Sequence, residues 1–315
     1  MRILITGGAG FIAYHLASAL LKTPAEVHLL DNFNDFYDPS IKRKNVRDLQ
    51  ARGRAPIHEV DILDRERLRG VFEETRPDAI VHLAAWAGVR PSLERPELYS
   101  AVNITGTVNL LELAKEFSTP CFIFGSSSSV YGGSQRVPFC EDDPVDRPVS
   151  PYAATKRAGE LLCHTYSHNF SMHITCLRFF TVYGPRQRPE MAIHKFAQFL
   201  RDGKEIPIFG KGDSRRDYTY VEDIVAGILA AINVNPRFEI VNLGESQTIT
   251  LMELVAHLEE ALGRKARLRF LPMQAGDMDV TYADITHARQ ILGYNPQKPF
   301  KEGIRLFADW FLGSG

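Results

Sequence analysis

The sequence predicts an α/β protein with a doubly wound parallel sheet and a smaller C-terminal domain. Apolar, β-branched segments of strand length alternate with amphipathic segments of helix length from residue 3 to about residue 179. This alternation is typical of a parallel sheet with helices on both faces. The length of 315 residues is sufficient for two domains. We predict a first domain at 1–179 and a second mainly at 180–315, with 218–241 as a segment that can return to the first sheet.

Each predicted strand of the first domain is rich in Val, Ile, Leu or Phe. These strands are Ile3–Thr6, Val27–Asp31, Ile57–Val60, Ala79–Leu83, Phe122–Gly125 and Ile174–Phe179. Between them, apolar residues recur at helical spacing at Phe11–Lys22, Arg65–Glu74, Gly106–Phe117 and Pro151–Asn169. After residue 180, loops with Pro and Gly precede predicted helices at Met191–Arg201, Val221–Ile232, Leu251–Leu262 and Thr286–Leu292. This change in pattern predicts the smaller domain.

Composition excludes several classes of protein. Apolar residues make up 44% and charged residues 24%, which excludes disordered, collagenous and coiled-coil chains. The net charge of −1 provides no field that would attract nucleic acid or an anionic membrane. Apolar runs are shorter than the roughly 18 residues of a membrane span, and a strand, not a signal peptide, follows Met1. The four cysteines lack CxxC spacing, so we expect reduced thiols and a cytoplasmic protein.

A glycine-rich turn joins the first strand to the first helix. Gly8, Gly10 and Ala13 fit the G-x-G-x-x-G/A fingerprint of Rossmann-type dinucleotide-binding domains. Glycine permits the tight turn and the close approach of a pyrophosphate, whose charge the free N–H groups of the helix start can hold. The cofactor contacts predicted here are Gly7, Gly10, Phe11 and Ile12. The alternative is a turn that needs glycine only for packing.

Asp31 ends the second predicted strand, 21 positions after Gly10. A carboxylate at about this interval accepts hydrogen bonds from the adenosine ribose hydroxyls. Its charge would repel a 2′-phosphate, so the sequence favours NAD over NADP. A basic run that could bind a 2′-phosphate follows at Lys42, Arg43, Lys44 and Arg47. A solvated helix face is the commoner explanation of such a run.

A second motif begins at Ser150, an N-cap residue followed by proline at the first helical position. Tyr152 and Lys156 then lie one turn apart on the same face of the helix. An ammonium, a helix N-terminus and a nicotinium ring would all favour the phenolate form, so we expect the tyrosine pKa to be lowered and Tyr152 to act as a base. Four serines, Ser126–Ser129, follow the preceding strand at the sheet edge where ligands of parallel α/β sheets bind. At least one of them could simply form a polar turn.

With these motifs, the sequence resembles the extended short-chain dehydrogenases/reductases, which include the NAD-dependent sugar-nucleotide epimerases and dehydratases. The resemblance covers essentially the whole chain. Besides the motifs above, it is based on Asp61-Ile62, His82-Leu83-Ala84-Ala85, Asn103, Arg178-Phe179-Phe180, Tyr183-Gly184-Pro185, Arg216–Asp223 and Gly276-Asp277.

The resemblance implies roles for individual residues. Tyr152 and Lys156 correspond to the catalytic pair, and Ser127 to the serine that touches the sugar O4. Contacts with NAD are implied at Asp31, Asn32, Asp61, Ile62, Leu83, Ala84, Ala85, Asn103, Tyr152, Lys156 and Phe179. Arg216 would bind the UDP pyrophosphate, for which a bidentate guanidinium is suited, and Asp277 the uridine ribose. A homodimer through the helices containing Gly106 and Tyr152 is also implied.

Within the family, the chain resembles the UDP-glucuronate 4-epimerases most. That resemblance is based on Asp31-Asn32-Phe33, Tyr37-Asp38, Ala87-Gly88-Val89-Arg90, Phe179–Pro185 and Arg188-Pro189-Glu190-Met191-Ala192. Two residues depart from the expected pattern. Ala13 replaces the third glycine, and Trp86 stands where a smaller polar residue is expected. We expect Trp86 to face the entrance of the site.

The resemblance also separates the reactions of the family, in which Tyr152 takes the O4 proton while a hydride passes from C4 to NAD. Dehydratases carry an Asp and a Glu where this chain has Ser128 and Ser129, and UDP-glucuronate decarboxylases carry a Glu at the position of Ser129. Serine cannot replace either carboxylate. Epimerisation at C4 without net redox change is therefore the predicted reaction.

A uronate substrate must be held by its C6 carboxylate, since the 4-keto intermediate readily loses CO2. The candidate contacts are Arg90, Ser127, Ser128, Ser129, Thr181 and Arg188; alternatively, Arg188 binds the UDP phosphates or faces solvent. Other functions left open are UDP-glucose or UDP-N-acetylglucosamine 4-epimerase, UDP-glucuronate decarboxylase and a non-catalytic NAD-binding regulator. We predict no metal site, because His164 and His168 lack the Glu of a His-Glu-x-x-His motif.

Overall fold

A computed structural model of the chain describes residues 1–134, 136–272 and 280–313. Within these ranges the strands are β1 (Arg2–Thr6), β2 (Glu26–Leu30), β3 (Ile57–His58), β4 (Ala79–His82), β5 (Cys121–Ser127), β6 (Ile174–Phe179), β7 (Thr181–Tyr183), β8 (Glu205–Phe209), β9 (Arg215–Arg216), β10 (Tyr218–Tyr220), β11 (Phe238–Leu243), β12 (Ile249–Thr250), β13 (Arg267–Leu271) and β14 (Val280–Thr281). The helices are α1 (Phe11–Leu20), α2 (Pro39–Gln50), α3 (Arg65–Thr75), α4 (Val89–Glu94), α5 (Pro96–Ser100), α6 (Gly106–Glu116), α7 (Pro151–Phe170), α8 (Ala192–Asp202), α9 (Val221–Val234), α10 (Leu251–Leu262), α11 (Thr286–Leu292) and α12 (Phe300–Gly313).

The central sheet has seven parallel strands in the order β11-β6-β5-β4-β1-β2-β3. Alternate residues of each strand pack into two hydrophobic cores on opposite faces of the sheet. In β1, Ile3 and Ile5 belong to one core and Leu4 to the other. Helices α1, α2 and α9 cover the first core, and α3, α6 and α7 cover the second. The prediction of a doubly wound parallel sheet is confirmed.

The direction of the strand order changes between β1 and β4. From β1 the chain adds β2 and β3 on one side, and then returns to add β4, β5 and β6 on the other. Loops that leave the carboxyl ends of two such strands diverge, and the crevice between them is where parallel α/β sheets bind ligands. The glycine-rich turn after β1 and the segment Leu83–Ala85 after β4 meet at this crevice.

The chain after residue 180 is divided between two places. Strand β11 is the edge strand of the central sheet, and α9 packs against α1 beneath that sheet. The smaller lobe contains the parallel pair β8 and β13, against which α8 packs, while α10 packs on α8 and α12. Three short strands, β9, β12 and β14, form a further sheet. The boundary at residue 180 stays a prediction.

Four helices, α2, α4, α5 and α12, were not predicted. Helix α2 has few apolar residues, but Pro39 at its first turn and Asp38, which accepts a hydrogen bond from the Ser40 N–H at 2.8 Å, fix its start. The basic run lies on this helix. Arg43, Lys44 and Arg47 are exposed on its outer side, as predicted for a solvated face, whereas Lys42 is buried. In the described part of the chain, no helix is both long and apolar enough for a membrane crossing.

Candidate active site

A cavity of about 650 Å³ opens at the carboxyl ends of β1, β2, β4, β5 and β6. It is lined by the following predicted site residues: Gly7, Gly10, Phe11, Ile12, Asp31, Asn32, Asp61, Ile62, Leu83, Ala84, Ala85, Arg90, Ser127, Ser128, Ser129, Tyr152, Lys156, Phe179, Thr181, Arg188 and Arg216. The predicted uridine contact, Asp277, lies outside the described residues. The structure thus brings the residues of both sequence motifs to one cavity.

Asn103 and Trp86 lie behind the cavity wall. The Asn103 side chain accepts a hydrogen bond from the Trp86 N–H and donates one to the Trp86 carbonyl, both at 2.9 Å. The Trp86 indole is buried and packs on Phe36 and Tyr99, with ring centroids 5.2 and 6.2 Å away. The expectation that Trp86 faces the entrance is wrong, because its large apolar ring is turned into the core. Asn103 supports the wall from behind.

The glycine-rich turn brings bare backbone to the cavity. Gly7 has a φ of +66°, and a Cβ there would approach the Ala84 nitrogen to 2.8 Å, so this position requires glycine. Gly10 is the N-cap of α1 and has no side chain to cover the N–H groups at the helix start. The uncovered N–H groups at this helix start suit the pyrophosphate of a dinucleotide. The turn is held from outside by Asn45, whose amide donates to the Ala9 carbonyl at 3.0 Å.

Asp31 lies at the end of β2, where it is buried and still lines the cavity. Its carboxylate accepts hydrogen bonds from the Ala9 and Phe33 N–H groups at 3.2 and 2.8 Å. Burial raises its pKa, while the nearby Lys42 ammonium opposes the rise. Lys42 is held by hydrogen bonds to the backbone and side-chain oxygens of Asn34, at 3.0 and 2.9 Å. The free lone pairs of Asp31 can accept ribose hydroxyls, so these residues fit the adenosine end of NAD.

Helix α7 carries the predicted catalytic pair. Ser150 accepts a hydrogen bond from the Ala153 N–H at 3.1 Å, which caps the helix directly before Pro151. Tyr152 hydrogen-bonds Ser127 at the end of β5. Burial raises the pKa of Tyr152, although the Ser127 hydrogen bond and the Arg188 guanidinium act in the opposite direction. Among the protein's own groups, desolvation of the phenolate thus outweighs its partners. The expectation of a lowered phenol pKa, which included a nicotinium ring, stays a prediction.

Lys156 lies one turn further along the same face of α7 and is buried. Its ammonium donates a hydrogen bond to the Gly125 carbonyl at 2.6 Å and lies over the Phe124 ring, 5.1 Å from its centroid. Burial lowers the pKa of Lys156 to about 8. Burial thus favours the neutral amine, while the Gly125 carbonyl accepts a proton of the ammonium.

The four serines at the end of β5 have different surroundings. Ser126 is buried and donates to Glu160 at 2.6 Å. Ser127 accepts a hydrogen bond from the Ser129 N–H at 3.2 Å and so begins a short 3₁₀ turn, as predicted for at least one of these serines. The Ser129 hydroxyl is buried and has no hydrogen-bond partner among the described residues. Such an orphaned hydroxyl on the cavity wall is available to a polar ligand.

Arginine side chains approach the cavity from the C-terminal side. The Arg188 Nε lies 3.1 Å from Glu190 Oε1, and the guanidinium carbon lies 5.3 Å from the centroid of the Phe36 ring. Arg188 also lies near enough to Tyr152 to affect the pKa of its phenol. Arg216 donates to the Arg215 carbonyl at 2.9 Å. Arg90, on α4, lies 5.9 Å from the centroid of the Phe209 ring.

Several cavity residues were not identified from the sequence. They include Asn34, Phe36, Tyr37, Val149, Phe180, Met191 and Thr281. Tyr37 and Met191 lie in segments that carried the family resemblance, which was the signal that could have found them. Lys42 belongs to the basic run for which a solvated helix face was favoured. That interpretation is wrong for Lys42, which is buried because α2 packs it against the loop at Asn34.

Comparison with known proteins identifies the family. The model of the NAD dependent epimerase/dehydratase family matches residues 3–244. UDP-glucuronate 4-epimerase from Thermodesulfobacterium geofontis is 41% identical over 308 residues, which cover 98% of this chain and 95% of that protein. The crystal structure of UDP-glucuronic acid 4-epimerase from Bacillus cereus, in complex with UDP-glucuronic acid and NAD, matches with a TM-score of 0.92 and 36% identity over 100% of both chains. The crystal structure of UDP-glucose 4-epimerase from Thermus thermophilus, in complex with NAD, matches with a TM-score of 0.90 and 32% identity, also over 100% of both chains. The resemblance recognised in the sequence is confirmed: the chain belongs to the NAD dependent epimerase/dehydratase family.

Proposed function

We propose that this protein interconverts UDP-glucuronate and UDP-galacturonate by inverting C4 of the sugar. At the coarser level it is an NAD-dependent UDP-sugar 4-epimerase, as its family and its relatives at 41% and 36% identity support. The observation that carries the uronate proposal is the position of Arg188. Its guanidinium lines the same cavity as Tyr152 and acts on the phenol electrostatically, so a sugar at Tyr152 lies within reach of this cation.

NAD fits the residues at the end of the cavity that is formed by the glycine-rich turn and Asp31. The bare turn at Gly7 and Gly10 accommodates a pyrophosphate, and Asp31 accepts the ribose hydroxyls. The Asn32 side-chain amide donates a hydrogen bond to the Asp61 carboxylate at 2.7 Å. This bond fixes both polar side chains where the adenine would bind. When bound, NAD supplies the acceptor and donor of the C4 hydride.

The chain's own residues carry the proton. Tyr152 takes the proton from the O4 hydroxyl and returns it after the C4 hydrogen has been delivered to the opposite face. Ser127, which hydrogen-bonds the phenol, orients O4 towards it. The Lys156 ammonium stabilises the phenolate through its charge, which matters because burial of Tyr152 disfavours ionisation. The fold must therefore place a positive charge near the Tyr152 ring for the phenolate to form.

The serines explain why the reaction ends with epimerisation. A 4-keto uronate loses CO2 when the C5–C6 bond aligns with the carbonyl π system, so the carboxylate must be held. Arg188, Thr181 and the orphaned Ser129 hydroxyl provide a cation and hydroxyl donors for it. Ser128 and Ser129 supply no carboxylate that could assist elimination or decarboxylation. Arg90 is a further candidate contact.

The rest of the substrate would extend towards the smaller lobe. We propose that Arg216, on the cavity wall, binds the UDP pyrophosphate and that Asp277 binds the uridine ribose. On this proposal, residues 1–179 mainly hold NAD, and residues 180–315 mainly hold the UDP-sugar.

The experiment that tests the proposal offers UDP-glucuronate, UDP-glucose and UDP-N-acetylglucosamine separately and follows products by proton NMR. We expect UDP-galacturonate from the first, little UDP-pentose and almost no product from the others, because a neutral sugar has no carboxylate that could replace Glu190 as the partner of Arg188. Fast conversion of UDP-glucose would contradict the uronate assignment but leave the epimerase class intact. UDP-pentose as the main product would instead assign decarboxylation. In Arg188→Ala, epimerisation should fall and the pentose fraction rise.

We also propose a homodimer through α6 and α7. The support on α7 is Leu161, a large apolar side chain that retains 53% of its accessible surface. Light scattering should give twice the chain mass for the wild type and a lower mass for Leu161→Glu; a monomeric wild type would contradict the proposal.

The free thiols of all four cysteines favour a cytoplasmic location.

A further inference from the structure

Helix α7 and the end of β5 are joined residue by residue at the site. Three successive β5 residues contact three α7 residues that are four positions apart and so share one helix face. The pairs are Gly125 with Lys156, Ser126 with Glu160, and Ser127 with Tyr152. The first two are hydrogen bonds of 2.6 Å. Two of these pairs contain proposed catalytic residues, and the Ser126–Glu160 pair does not.

Glu160 is a buried carboxylate held by two arginines. Arg178, which is itself 1% exposed, donates to both carboxylate oxygens, from Nε at 2.8 Å and from Nη2 at 2.9 Å. Arg157, which also lies on α7, donates a hydrogen bond to Glu160 Oε2 at 3.1 Å. Burial acts against ionisation, but the Arg178 hydrogen bonds and charge hold the pKa of Glu160 below its usual value. Glu160 therefore carries a full negative charge inside the protein.

The carboxylate is also tied to the rest of the sheet. Arg178 donates from Nη1 to the Tyr131 hydroxyl at 2.9 Å, and that hydroxyl donates to the Asn242 side chain at 2.7 Å. Arg178 belongs to β6 and Asn242 to β11. The network thus connects three strands of the central sheet to α7, and a buried network of this kind has one well-defined geometry.

We propose that Glu160 is a positioning residue for proton transfer, acting through Ser126 on the end of β5 and through its charge on Lys156. The first action fixes Ser127 against Tyr152, because Ser126 is its chain neighbour. The second places a negative charge one helical turn from the ammonium. This inference is based on the proposed roles of Tyr152, Ser127 and Lys156.

Several groups face Lys156 from the elements around it. Glu160 and Cys163 lie on α7, His82 on β4 and the Phe124 ring on β5. Burial lowers the pKa of His82 to about 3, so this imidazole is neutral at working pH and does not compete with Lys156. Burial lowers the pKa of Lys156 to about 8, and both Cys163 and Glu160 raise it. Loss of the Glu160 charge should therefore cause Lys156 to lose its proton at a lower pH.

Three variants separate the two actions. Glu160→Gln removes the charge and keeps the shape, Ser126→Ala removes only the link to β5, and Arg157→Ala is the matched control that removes an outer partner of Glu160. The readouts are kcat and KM for the UDP-sugar, the pH profile of kcat from about pH 6 to pH 9, and the NAD content of the purified protein.

For Glu160→Gln we expect kcat to fall by roughly 10-fold or more, with KM changed little, and the alkaline decline of kcat to move to lower pH. Ser126→Ala should lower kcat without moving the profile. Arg157→Ala should change neither. In the double variant of Ser126 and Glu160, the effects on kcat should be less than additive, because both act on the same contact. Fully additive effects would show that Ser126 acts directly on a ligand and would overturn the first action.

A folded Glu160→Gln protein with kcat within about twofold of the wild type and an unmoved pH profile overturns the proposal. If that variant does not fold, Ser126→Ala decides: unchanged kcat overturns the proposal and a lowered kcat with an unmoved profile supports it. Tyr152→Phe, assayed in parallel, distinguishes a failure of the Glu160 inference from a failure of the proposed function. Normal turnover in Tyr152→Phe contradicts the proposed function, whatever the Glu160 variants do.

Discussion

Arg188 and Glu190 form an ion pair at the cavity, with Nε of the arginine 3.1 Å from Oε1 of the glutamate. The arginine side chain is 23% exposed and the glutamate side chain 42% exposed. A substrate carboxylate that binds Arg188 has to replace this internal carboxylate or share the guanidinium with it. The pair thus connects the proposed substrate specificity to a residue that never needs to touch the reacting atoms.

Glu190→Gln should tighten the binding of a uronate. A partly exposed ion pair contributes about 0.2–1 kcal/mol, so KM for UDP-glucuronate should fall by roughly 1.4- to fivefold, while KM for UDP-glucose stays unchanged. Steady-state kinetics with both sugars measure this. An increase in KM for the uronate would mean that Glu190 orients Arg188 for the substrate and does not compete with it.

Tyr152→Phe should lower turnover by roughly 10² or more, because the ring is kept and the acid/base group is lost. The NAD content of the purified variant, read from heat-released nucleotide, should stay near that of the wild type. Turnover is measured by NMR of the UDP-sugar. Near-normal turnover would remove Tyr152 from the proton-transfer role.

Asp31→Ser should shift cofactor preference towards NADP. The substitution removes the charge that repels a 2′-phosphate, and the Lys42 ammonium next to it remains to bind one. The ratio of the dissociation constants for NADP and NAD should fall by at least about 10-fold relative to the wild type, a change of about 1.4 kcal/mol. Titration calorimetry on protein stripped of nucleotide gives both constants. The control Arg43→Ser removes a charge on the outer side of the neighbouring helix and should leave the ratio unchanged.

Glu245→Gln should stabilise the protein at and above neutral pH. Burial, with the charges of Asp223 and Asp217, raises the pKa of Glu245 to about 8. Between the ordinary glutamate pKa and about pH 8 the folded state holds a proton that the unfolded state has released, so this group's contribution is fully present at acidic pH and is lost as pH rises. Denaturant unfolding at about pH 5, 7 and 9 should give a gain for Glu245→Gln that grows with pH. A gain of the same size at the acidic end would contradict the assignment. Glu222→Gln, at an exposed position of α9, serves as the control.

Much of the fold was predictable because apolar residues recur in the sequence with the period of a strand or a helix. Strands β1, β4 and β6 begin and end within one residue of their predicted bounds, since alternation and β-branched residues define them locally. The start of α7 followed from Ser150 and Pro151, and the turn at Gly7 from the glycine fingerprint. The cavity residues that belong to these motifs were therefore found from the sequence alone.

What the sequence did not reveal depends on contacts between distant residues. Lys42 is buried because α2 places it against Asn34, and Trp86 faces the core because Phe36 and Tyr99 receive its ring. Glu160 and Arg178 are 18 positions apart and on different elements, so their pairing has no signature in a single sequence. The raised pKa of Tyr152 has the same origin, because desolvation is a property of the packed structure.

We propose that the site inverts C4 of a UDP-uronate by removing and returning the same hydrogen while the carboxylate stays in place. Incubation of the protein with UDP-[4-²H]glucuronate, followed by proton and deuterium NMR, follows that hydrogen through the reaction. We expect UDP-galacturonate that retains deuterium at C4 and no more than traces of UDP-pentose. Loss of the label to solvent would contradict hydride return at C4, and formation of UDP-pentose as the main product would contradict the hold on the carboxylate.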